Sequence, residues 1–418
     1  MKADCYVAEG VAVIRGSNLG KGRLLSGDFV FITDEKAAEL GNANLKPGDL
    51  VFPHRGAIGE VGIVPADGHR YALSTSLMKI SLDESRVVPD FLYYFFTSAS
   101  GRAELLRNAS QVGTPGIATP LKSLRECVVP APPLRHQRSV VQTLRCLDDR
   151  IDNLRQTNAT LEAIAQALFK SWFVDFDPVR AKADGREPEG MDAATAALFP
   201  SEFEDSELGS IPKGWPVGGS DGLLEIVGGG TPKTSVGEYW GGDIPWFSVV
   251  DAPANGQVFT LDTAKKITEL GLANCSARLL PPMTTIISAR GTVGKVAMAG
   301  VPMAMNQSCY ALRPRVEGGE AFIYFSTLRF VEQLQQIAHG AVFDTITRES
   351  FKRIITFLPP EQTIAVFGLM ATPLFERIRA NGLQTASLAA LRDTLLPRLI
   401  SGRIRIHEAE KAIEKLPT

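Results

Sequence analysis

Residues 134–172 read LRHQRSVVQTLRCLDDRIDNLRQTNATLEAIAQALFKSW, without a glycine or proline. Apolar residues recur along this stretch at alternating steps of four and three, and the polar exception is Asn158. A period of 3.5 residues predicts a helix whose apolar seam packs in a coiled coil, and a polar seam residue commonly specifies the helix register. The seam positions are Val140, Leu144, Leu147, Ile151, Leu154, Asn158, Leu161, Ala165, Leu168 and Trp172.

A second stretch of this kind, residues 361–400, follows 227 residues after the first. Both stretches come after a pair of prolines, which is a usual helix start. Pro373 is expected to kink or restart the second helix, and Arg392 is a poor seam residue. The alternative is two unrelated amphipathic helices. The matching positions are Phe367, Ala371, Leu374, Ile378, Asn381, Thr385, Leu388, Arg392, Leu395 and Leu399.

Length and composition indicate a globular protein of two to four domains, with 418 residues and 44% hydrophobic content. The first ten residues lack the apolar core of a signal peptide, and no apolar run is long enough for a membrane span. The five cysteines are scattered, without a Cys-x-x-Cys pair. This usage is typical of a reducing cytoplasm and, with isolated histidines, predicts no metal site.

The net charge of −2 is unevenly distributed. Residues 175–209 carry ten acidic and three basic side chains, a charge of −7. The remaining segments are therefore neutral to slightly basic. This balance permits binding to a phosphate backbone but does not require it.

Residues 1–133 and 210–360 share one order of predicted elements, so the chain contains an internal repeat of about 230 residues. Each copy ends in one of the long helices. The shared elements are a buried strand with an Arg-Gly turn (49–59 and 282–294), an aromatic helix (89–107 and 321–337), a loop (111–119 and 340–347) and an exit strand (127–129 and 354–357).

The predicted fold class is α+β, with two mixed domains separated by an antiparallel two-helix coiled coil and a pseudo-twofold internal repeat. A helix of about 39 residues is about 58 Å long, whereas one turn of duplex DNA is about 34 Å. Two domains on such a spacer could reach two groove segments. The predicted boundaries are 1–133 for domain 1, 134–174 for helix 1, 175–209 for an exposed acidic connector, 210–360 for domain 2, 361–404 for helix 2 and 405–418 for a tail.

The two domains differ at their starts. Residues 12–18 match residues 244–250, and about 25 to 30 residues that precede this match in domain 2 have no counterpart in domain 1. Domain 1 is therefore expected to be shortened at its N-terminus, or to begin upstream of Met1. This difference bears on the function of domain 1 more than on its fold.

Several stretches resemble the specificity subunits of type I restriction–modification systems, and the resemblance extends over nearly the whole chain. None of them is a catalytic motif, but their number and order are specific. The stretches are ALFKSWFVDFDPVR (167–180), GGTP (229–232), YWGGDIPWFS (239–248) and LLPRLISGRI (395–404).

The resemblance implies a non-catalytic DNA-binding protein with two target-recognition domains, each reading one half of an asymmetric, bipartite site. The helices would set the spacer and dock two methyltransferase subunits that bind S-adenosylmethionine. Restriction subunits, which are motor–nucleases using ATP and Mg²⁺, would join them. The assembled complex would then be a DNA adenine methyltransferase and an ATP-dependent endonuclease.

Base readout requires side chains such as Arg, Asn and Gln, whereas phosphate contacts use Lys, Arg, Ser and Thr. Such residues occur in the loops and turns of both domains. Structural roles are the alternative for Arg55 and Arg290, core packing for Trp246 and turn capping for Asn306 and Gln307. The candidates are Arg15, Ser17, Asn18, Lys21, Arg23, His54, Arg55, Ser74 and Ser76 in domain 1, and Trp246, Ser248, Arg290, Thr292, Lys295, Asn306, Gln307 and Arg348 in domain 2.

Motifs for catalysis are weak. Residues 218–222 fit G-x-S-x-G, but they lack the strand–turn–helix context of a nucleophile. The glycines at 228–230 lack the Gly-Lys-Ser/Thr of a phosphate-binding loop. We therefore expect no catalytic residue and no cofactor in this chain. Two other functions stay open: a recognition partner of a fused methyltransferase–nuclease, and a coiled-coil scaffold with impaired DNA reading.

Overall fold

The computed structural model describes residues 5–20, 22–110, 114–253, 257–337 and 345–414. The chain divides into two compact units, one of residues 1–151 with 386–418 and the other of residues 152–385. Each unit contains one mixed domain and one half of each long helix.

Domain 1 consists of short strands and helices in a mixed arrangement. Its strands are β1 (Val11–Ile14), β2 (Val30–Ile32), β3 (Asn44–Leu45), β4 (Leu50–Pro53), β5 (Gly62–Ile63), β6 (Tyr71–Leu73), β7 (Leu77–Ile80), β8 (Ala109–Ser110) and β9 (Gly116–Ile117). Its helices are α1 (Asp34–Glu39), α2 (Pro89–Thr97), α3 (Ala99–Leu106) and α4 (Pro120–Arg125).

Three sheets organise domain 1, in the orders β2-β1-β6-β3, β5-β4-β7 and β8-β9. Strands β1 and β6 are parallel, whereas β4 is antiparallel to both of its neighbours. The inward faces of β1, β4 and β6 are fully apolar and form the core of the domain. Burial of these strands on both faces explains their continuous hydrophobic runs.

Domain 2 begins after the first long helix, α5 (Leu134–Phe173), and ends before the second, α11 (Glu361–Ile400). Its helices are α6 (Asp177–Ala183), α7 (Ala193–Ala196), α8 (Glu269–Ala273), α9 (Glu320–Ile337) and α10 (Arg348–Arg353). Its strands are β10 (Phe203–Ser206), β11 (Gly209–Pro212), β12 (Val217–Gly219), β13 (Leu224–Gly228), β14 (Trp240–Phe247), β15 (Phe259–Thr260), β16 (Lys266–Ile267), β17 (Thr285–Ser288), β18 (Val296–Ala299), β19 (Ala304–Met305), β20 (Cys309–Pro314) and β21 (Ile355–Phe357). A short helix, α12 (Ile406–Glu414), follows α11.

The sheets of domain 2 repeat those of domain 1 and add strands to them. Parallel β14 and β19 correspond to β1 and β6, and the order β13-β20-β17-β18-β15 contains the counterparts of β7, β4 and β5. The pairs β10-β11 and β12-β21 complete the domain. The internal repeat is therefore confirmed at the level of strand pairing.

Helices α5 and α11 form the predicted antiparallel coiled coil. Within one unit Arg392 contacts Asp148, and within the other Asn381 contacts Asn158, so residue numbers rise along one helix as they fall along the other. Every predicted seam position is buried or half-buried. The Asn381 amide donates to the Asn158 side-chain oxygen at 2.8 Å, and Asn158 donates to the carbonyl of Ile378 at 3.1 Å.

Pro373 does not restart α11, which is continuous from Glu361 to Ile400, so that part of the expectation was wrong. Pro373 lies on the exposed side of the helix, and Leu369, whose carbonyl loses its intrahelical donor, is 76% exposed. Water can therefore satisfy this carbonyl, and much of the usual cost of a mid-helix proline is avoided.

Arg392 fits the seam because it has a partner there. Its guanidinium donates to Asp148 at 2.8 Å, and the same carboxylate accepts the hydroxyl of the buried Tyr94 on α2 at 2.7 Å. Burial lowers the pKa of Arg392, but the carboxylates of Asp148 and Asp393 outweigh that effect and hold it above its ordinary value. The residue therefore joins the two helices to domain 1.

Two further expectations need correction. The aromatic helix of domain 1 is two helices, because Ser98 leaves the helical conformation and caps α3 through the N–H of Gly101 at 3.2 Å. Residues 127–129 form no strand, and Val128 is 71% exposed. In domain 2 the exit strand β21 pairs with β12, and no described strand of domain 1 occupies the place of β12.

The acidic segment 175–209 is more ordered than an exposed connector. It contains α6, α7 and the start of the β10-β11 hairpin, and it buries Phe176, Val179 and Phe199 in the core of domain 2. Its charged side chains remain at the surface, which explains its polar composition. The apolar residues between those charges decide its packing.

Candidate nucleic-acid interface

The candidate residues of each domain cluster where the two parallel strands end. Parallel strands end at the same edge of a sheet, so the residues that follow them lie side by side. In domain 1 the N–H of Ser74, after β6, donates to the carbonyl of Ile14 at 3.0 Å. In domain 2 the N–H of Asn306, after β19, donates to the carbonyl of Phe247 at 2.9 Å.

The Arg-Gly turn joins this edge through backbone hydrogen bonds that recur in both domains. In domain 1 His54 donates to Ser76 at 3.0 Å and accepts from Ile117 at 2.9 Å. In domain 2 Ala289 donates to Ser308 at 2.8 Å and accepts from Ile346 at 2.8 Å. Arg55 and Arg290 follow these residues directly, so each domain presents one arginine at the same place in its framework.

These contacts correct the sequence match between the domains by one residue. Ile14 corresponds to Phe247, whereas the sequence match paired it with Trp246. A shift of one residue in a strand moves each side chain to the opposite face. Trp246 therefore takes the place of Val13, which is 0% exposed.

Two candidates are buried, and their polar atoms are hydrogen-bonded within their own domains. Trp246 is 7% exposed, and its indole N–H donates to the carbonyl of Gly230 at 2.9 Å. Asn18 is 1% exposed. Its amide donates to Ser26 and Asp28 at 3.1 Å, and its oxygen accepts from the N–H of Arg15 at 2.9 Å.

Arg23 is also held within domain 1. Its guanidinium contacts the Asp90 carboxylate at 2.5 Å, and Arg145 on α5 contacts the same carboxylate at 3.1 Å. The arrangement ties the loop after β1 to α2 and α5. Arg23 thus has a structural partner that would have to be given up for contact with DNA. Lys21 lies outside the described residues.

Several half-buried candidates use their polar atoms locally. The Nη2 of Arg15 donates to the carbonyl of Asp28 at 3.3 Å. Ser248 donates its hydroxyl to Asp251 at 2.8 Å, and the Asn306 oxygen caps the N–H of Ser308 at 3.0 Å, as the turn-capping alternative predicted. Ser74 and Ser76 share a hydroxyl contact of 3.2 Å.

His54 has one ring nitrogen engaged and one without a partner. Nε2 lies 3.0 Å from the carbonyl of Thr75 and must be the donor there, because a carbonyl only accepts. Nδ1 is then an acceptor, and it is buried with no hydrogen-bond partner among the described residues. This nitrogen is an unused acceptor at the edge of the candidate site.

The remaining candidates are exposed at the same edge. The described residues place no carboxylate within ion-pair distance of Arg55, Arg290, Lys295 or Arg348. Arg348 begins α10 instead of lying on a loop, which corrects its predicted position. The exposed set is Ser17 and Arg55 in domain 1, and Arg290, Thr292, Lys295, Gln307 and Arg348 in domain 2.

The structure adds two residues that the sequence reasoning missed. Thr75 is exposed and lies between Ser74 and Ser76, at the place that Gln307 occupies in domain 2. Thr231 donates its hydroxyl to the Gln307 side chain. The glycines before Thr231 were the sequence signal that could have identified it. A Cβ on Gly229 would lie 2.0 Å from the carbonyl oxygen of Asn306, so only glycine allows the two backbones to approach this closely.

Ser220, the centre of the G-x-S-x-G match, is 0% exposed and donates its hydroxyl to the carbonyl of Phe351 at 2.6 Å. A buried, hydrogen-bonded hydroxyl of this kind cannot attack a substrate. The described helices include none long and apolar enough to cross a membrane.

Comparison with known proteins identifies relatives over most of the chain. The HindI type I restriction enzyme specificity subunit of Haemophilus influenzae is 29% identical, over 92% of this chain and 94% of that protein. The MjaIX specificity subunit of Methanocaldococcus jannaschii is 32% identical over 39% of this chain and 38% of its own length. The crystal structure of a type I S subunit from M. genitalium has the same fold, with a TM-score of 0.57 and 14% identity, covering 96% of this chain and 91% of that one.

The family model for the type I restriction modification DNA specificity domain matches the chain twice, at residues 8–163 and 212–367. The two matches correspond to the two halves of the internal repeat and together cover more than half of the chain. The protein therefore belongs to this family and is a specificity subunit of a type I restriction–modification system.

Proposed function

We propose that each domain reads one half of an asymmetric, bipartite DNA site through the edge at which its parallel strands end. The main support for this proposal is that the two domains share the same backbone hydrogen bonds at this edge but carry different side chains there. Domain 1 displays His54, Arg55 and Thr75 there, whereas domain 2 displays Arg290 and Gln307. Equivalent positions with different donors and acceptors favour different base pairs.

The exposed cations of domain 2 suit both kinds of DNA contact. Arg290 can present two donors to a guanine, whereas Lys295 and Arg348 can neutralise phosphates. Since their charges are not neutralised by carboxylates among the described residues, they remain available to a polyanion. Domain 1 offers fewer exposed cations, so we expect it to contribute less to overall affinity.

As a specificity subunit the chain is non-catalytic, and we propose that its helices dock two methyltransferase subunits. Large apolar side chains on the outer faces of α5 and α11 support this: Leu369 is 76% exposed, Ile164 51% and Met370 44%. The seam residues are occupied by the helix pair, which leaves these outer faces for partners. S-adenosylmethionine, ATP and Mg²⁺ would be bound by the methyltransferase and restriction subunits.

The test is to express the chain with its genomic methyltransferase partner in a host without other modification systems and to sequence the methylome. The expected result is methylated adenine in two short motifs separated by an unread spacer of constant length. Methylation of one motif alone would show that only one domain reads DNA. No methylation, together with no salt-dependent duplex binding by the complex, would favour the scaffold alternative.

A fused methyltransferase–nuclease is the remaining alternative partner. Co-purification of the chain with its partners distinguishes the two arrangements, because separate methyltransferase and restriction polypeptides are expected here. A single large polypeptide carrying both activities would replace this part of the proposal and leave the DNA-reading part unchanged.

A further inference from the structure

A pocket in the second unit lies away from the strand edge that is proposed to read DNA. It has a volume of about 280 Å³ and lies between the end of α5, helix α9 and the strands β11 and β21. Phe173, Phe322 and Phe357 lie at its base and are buried in the core, and Leu208 and Ile355 are the more exposed apolar residues of its lining. We call it the aromatic pocket. Its volume is close to the lower limit of small-ligand sites, about 300 Å³.

Two arginines line the aromatic pocket without a carboxylate partner among the described residues. The Nη1 of Arg329, on α9, donates to the carbonyl of Phe173 at 3.0 Å. The Nε of Arg180, on α6, donates to the carbonyl of Asp175 at 2.7 Å, and its guanidinium lies 5.3 Å from the ring centre of Phe203. These contacts orient both cations, and the other N–H groups of each have no hydrogen-bond partner among the described residues.

The positive charge of Arg329 is energetically unfavourable, because the guanidinium is partly removed from water. Arg329 is half-buried, and burial lowers its pKa against weaker opposite effects of Glu332 and Asp175. Asp175 is already paired with Lys170, and Glu332 is exposed. A carboxylate entering the pocket would supply the missing counter-charge through charge-assisted hydrogen bonds.

The other walls of the pocket favour a peptide over a small molecule. Ser210 and Ile211 belong to β11, and Ile355 and Thr356 to β21. Each of these strands lies in a two-stranded sheet, so each has one edge without a neighbouring strand in the described structure. Such edges offer backbone donors and acceptors to an added extended segment.

We propose that the aromatic pocket binds an extended peptide of a partner protein in which an acidic residue adjoins an aromatic one. The aromatic side chain packs on the exposed apolar residues of the lining, Leu208 and Ile355, and the carboxylate pairs with Arg329 and Arg180. The peptide backbone hydrogen-bonds to an open strand edge. The inference concerns a surface that the DNA-reading proposal does not use.

The test measures binding of fluorescein-labelled hexapeptides to the full chain by fluorescence anisotropy. The probes are Gly-Ser-Phe-Asp-Ser-Gly, the same peptide with Asn in place of Asp, and the same peptide with Gly in place of Phe. The parent peptide is expected to bind and both altered peptides to bind at least about tenfold more weakly, since one charge-assisted hydrogen bond or one buried aromatic ring contributes that much.

Arg329→Gln is expected to weaken binding of the parent peptide by about tenfold or more. The matched control is Arg186→Gln, because Arg186 lies in the same unit, pairs with Asp184 and does not line the pocket. Arg329 also holds the carbonyl of Phe173, so a melting curve must show that the variant folds. Should it fail to fold, Arg180→Gln and the altered peptides decide the question.

Three results would overturn the proposal. The first is no binding of the parent peptide by the unaltered chain. The second is equal binding of the Asp and Asn peptides. The third is a combination of two results: millimolar inorganic phosphate displaces the peptide fully, and the Phe and Gly peptides bind equally. Together they would show that the pocket binds anions without recognising the aromatic side chain. Duplex DNA binding, measured in parallel, is expected to be unchanged by Arg329→Gln.

Discussion

Side chains of one chemical type have different roles in this protein, depending on where the backbone places them. Arg23, Arg145 and Arg392 are held by Asp90 and Asp148, whereas no described carboxylate pairs with Arg290. An arginine paired with a buried or half-buried carboxylate, such as Asp90 or Asp148, would lose that pair on reaching DNA. Exposure and freedom from ion pairs therefore select Arg290 as the first residue to test.

Arg290→Ala is expected to weaken binding of the cognate duplex by about 1–3 kcal/mol and to relax preference at one base pair. The reason is the loss of two donors to one base edge. Competition binding against duplexes with single base-pair changes measures both effects. Arg313→Ala is the matched control. Arg313 is also exposed and belongs to domain 2, but it lies near the end of β20, whereas the candidate edge adjoins the start of that strand. Unchanged affinity and preference would remove Arg290 from the interface.

Glu162 on α5 is a carboxyl group whose ionised form is disfavoured in the folded protein. Burial raises the pKa of Glu162, and burial together with the smaller effect of the Glu162 charge raises the pKa of the Tyr324 hydroxyl. The folded state therefore binds the Glu162 proton more tightly than the unfolded state does. This contribution to stability is present at low pH and is lost as the pH rises from the ordinary value of 4.5 through the raised one.

Glu162→Gln is accordingly expected to stabilise the protein at pH 8, and the gain should shrink as the pH falls toward 5. Urea denaturation of both proteins across this range measures the difference. The exposed Glu376→Gln on α11 is the control and should show no such trend. A gain that is constant with pH would mean that the charge of Glu162 is not its cause.

At the scale of elements, the long helices are anchored differently in the two units. In the first unit the contacts to α5 and α11 include Tyr94–Asp148, Asp148–Arg392 and the Gln137 amide, whose oxygen accepts from Val88 at 2.9 Å. In the second unit they are mainly aromatic, with Phe169 and Phe367 at 5.9 Å between ring centres. The polar contacts specify the relative orientation of the helices, whereas burial of the aromatic side chains contributes most of the free energy of packing.

The Asn158–Asn381 pair offers a test of helix register. Asn158→Leu is expected to destabilise the protein by about 1–3 kcal/mol, because the Asn381 amide is left buried without its partner. The double replacement Asn158→Leu with Asn381→Leu should recover most of this loss, as two apolar residues fit a seam. Equilibrium denaturation of the single and double variants measures the coupling.

Asn153→Leu is the matched control for this cycle, since Asn153 lies exposed on the same helix. It should change the free energy of unfolding by less than about 0.5 kcal/mol. Additive effects of the two seam replacements would contradict a direct interaction between Asn158 and Asn381.

At the scale of the whole molecule, tandem repetition explains how one chain can recognise an asymmetric site. The two domains share strand pairing and turn framework, but domain 2 has the additional strands β12 and β13. Among the described residues of domain 1, no strand pairs with the exit segment as β12 pairs with β21. The two repeats therefore share their central strand pairing and differ in the strands at the edges of their sheets.

The helix pair is expected to act as the spacer of this arrangement. Leu154→Asp with Leu161→Asp places two carboxylates in the seam and should separate the helices, because a buried charge without a partner is strongly unfavourable. The assembled complex should then lose its discrimination among duplexes whose half-sites differ in spacing by one base pair. Ala159→Asp with Ala163→Asp adds the same charge on exposed positions of α5 and is the control. Retained spacing discrimination would argue against a spacer role.

The candidate site was only partly predictable, and Asn18, Trp246 and Asn306 show why. Residue type identified all three as able to contact bases. Their burial and hydrogen bonds depend on neighbours such as Ser26 and Gly230, which no local pattern connects to them. Arg55 and Arg290 could be selected as candidates from the sequence, because the Arg-Gly turn recurs in both of its halves.

By itself the amino-acid sequence determined the two long helices, their antiparallel pairing and the tandem order of domains, because period and repetition are properties of the chain alone. Tertiary structure alone decided the one-residue strand register, the burial of Asn18 and Trp246, the missing exit strand of domain 1 and the continuity of α11 through Pro373. Each of these depends on which atoms lie opposite a residue in space. A strand without a partner does not form, and a proline that faces water does not break its helix.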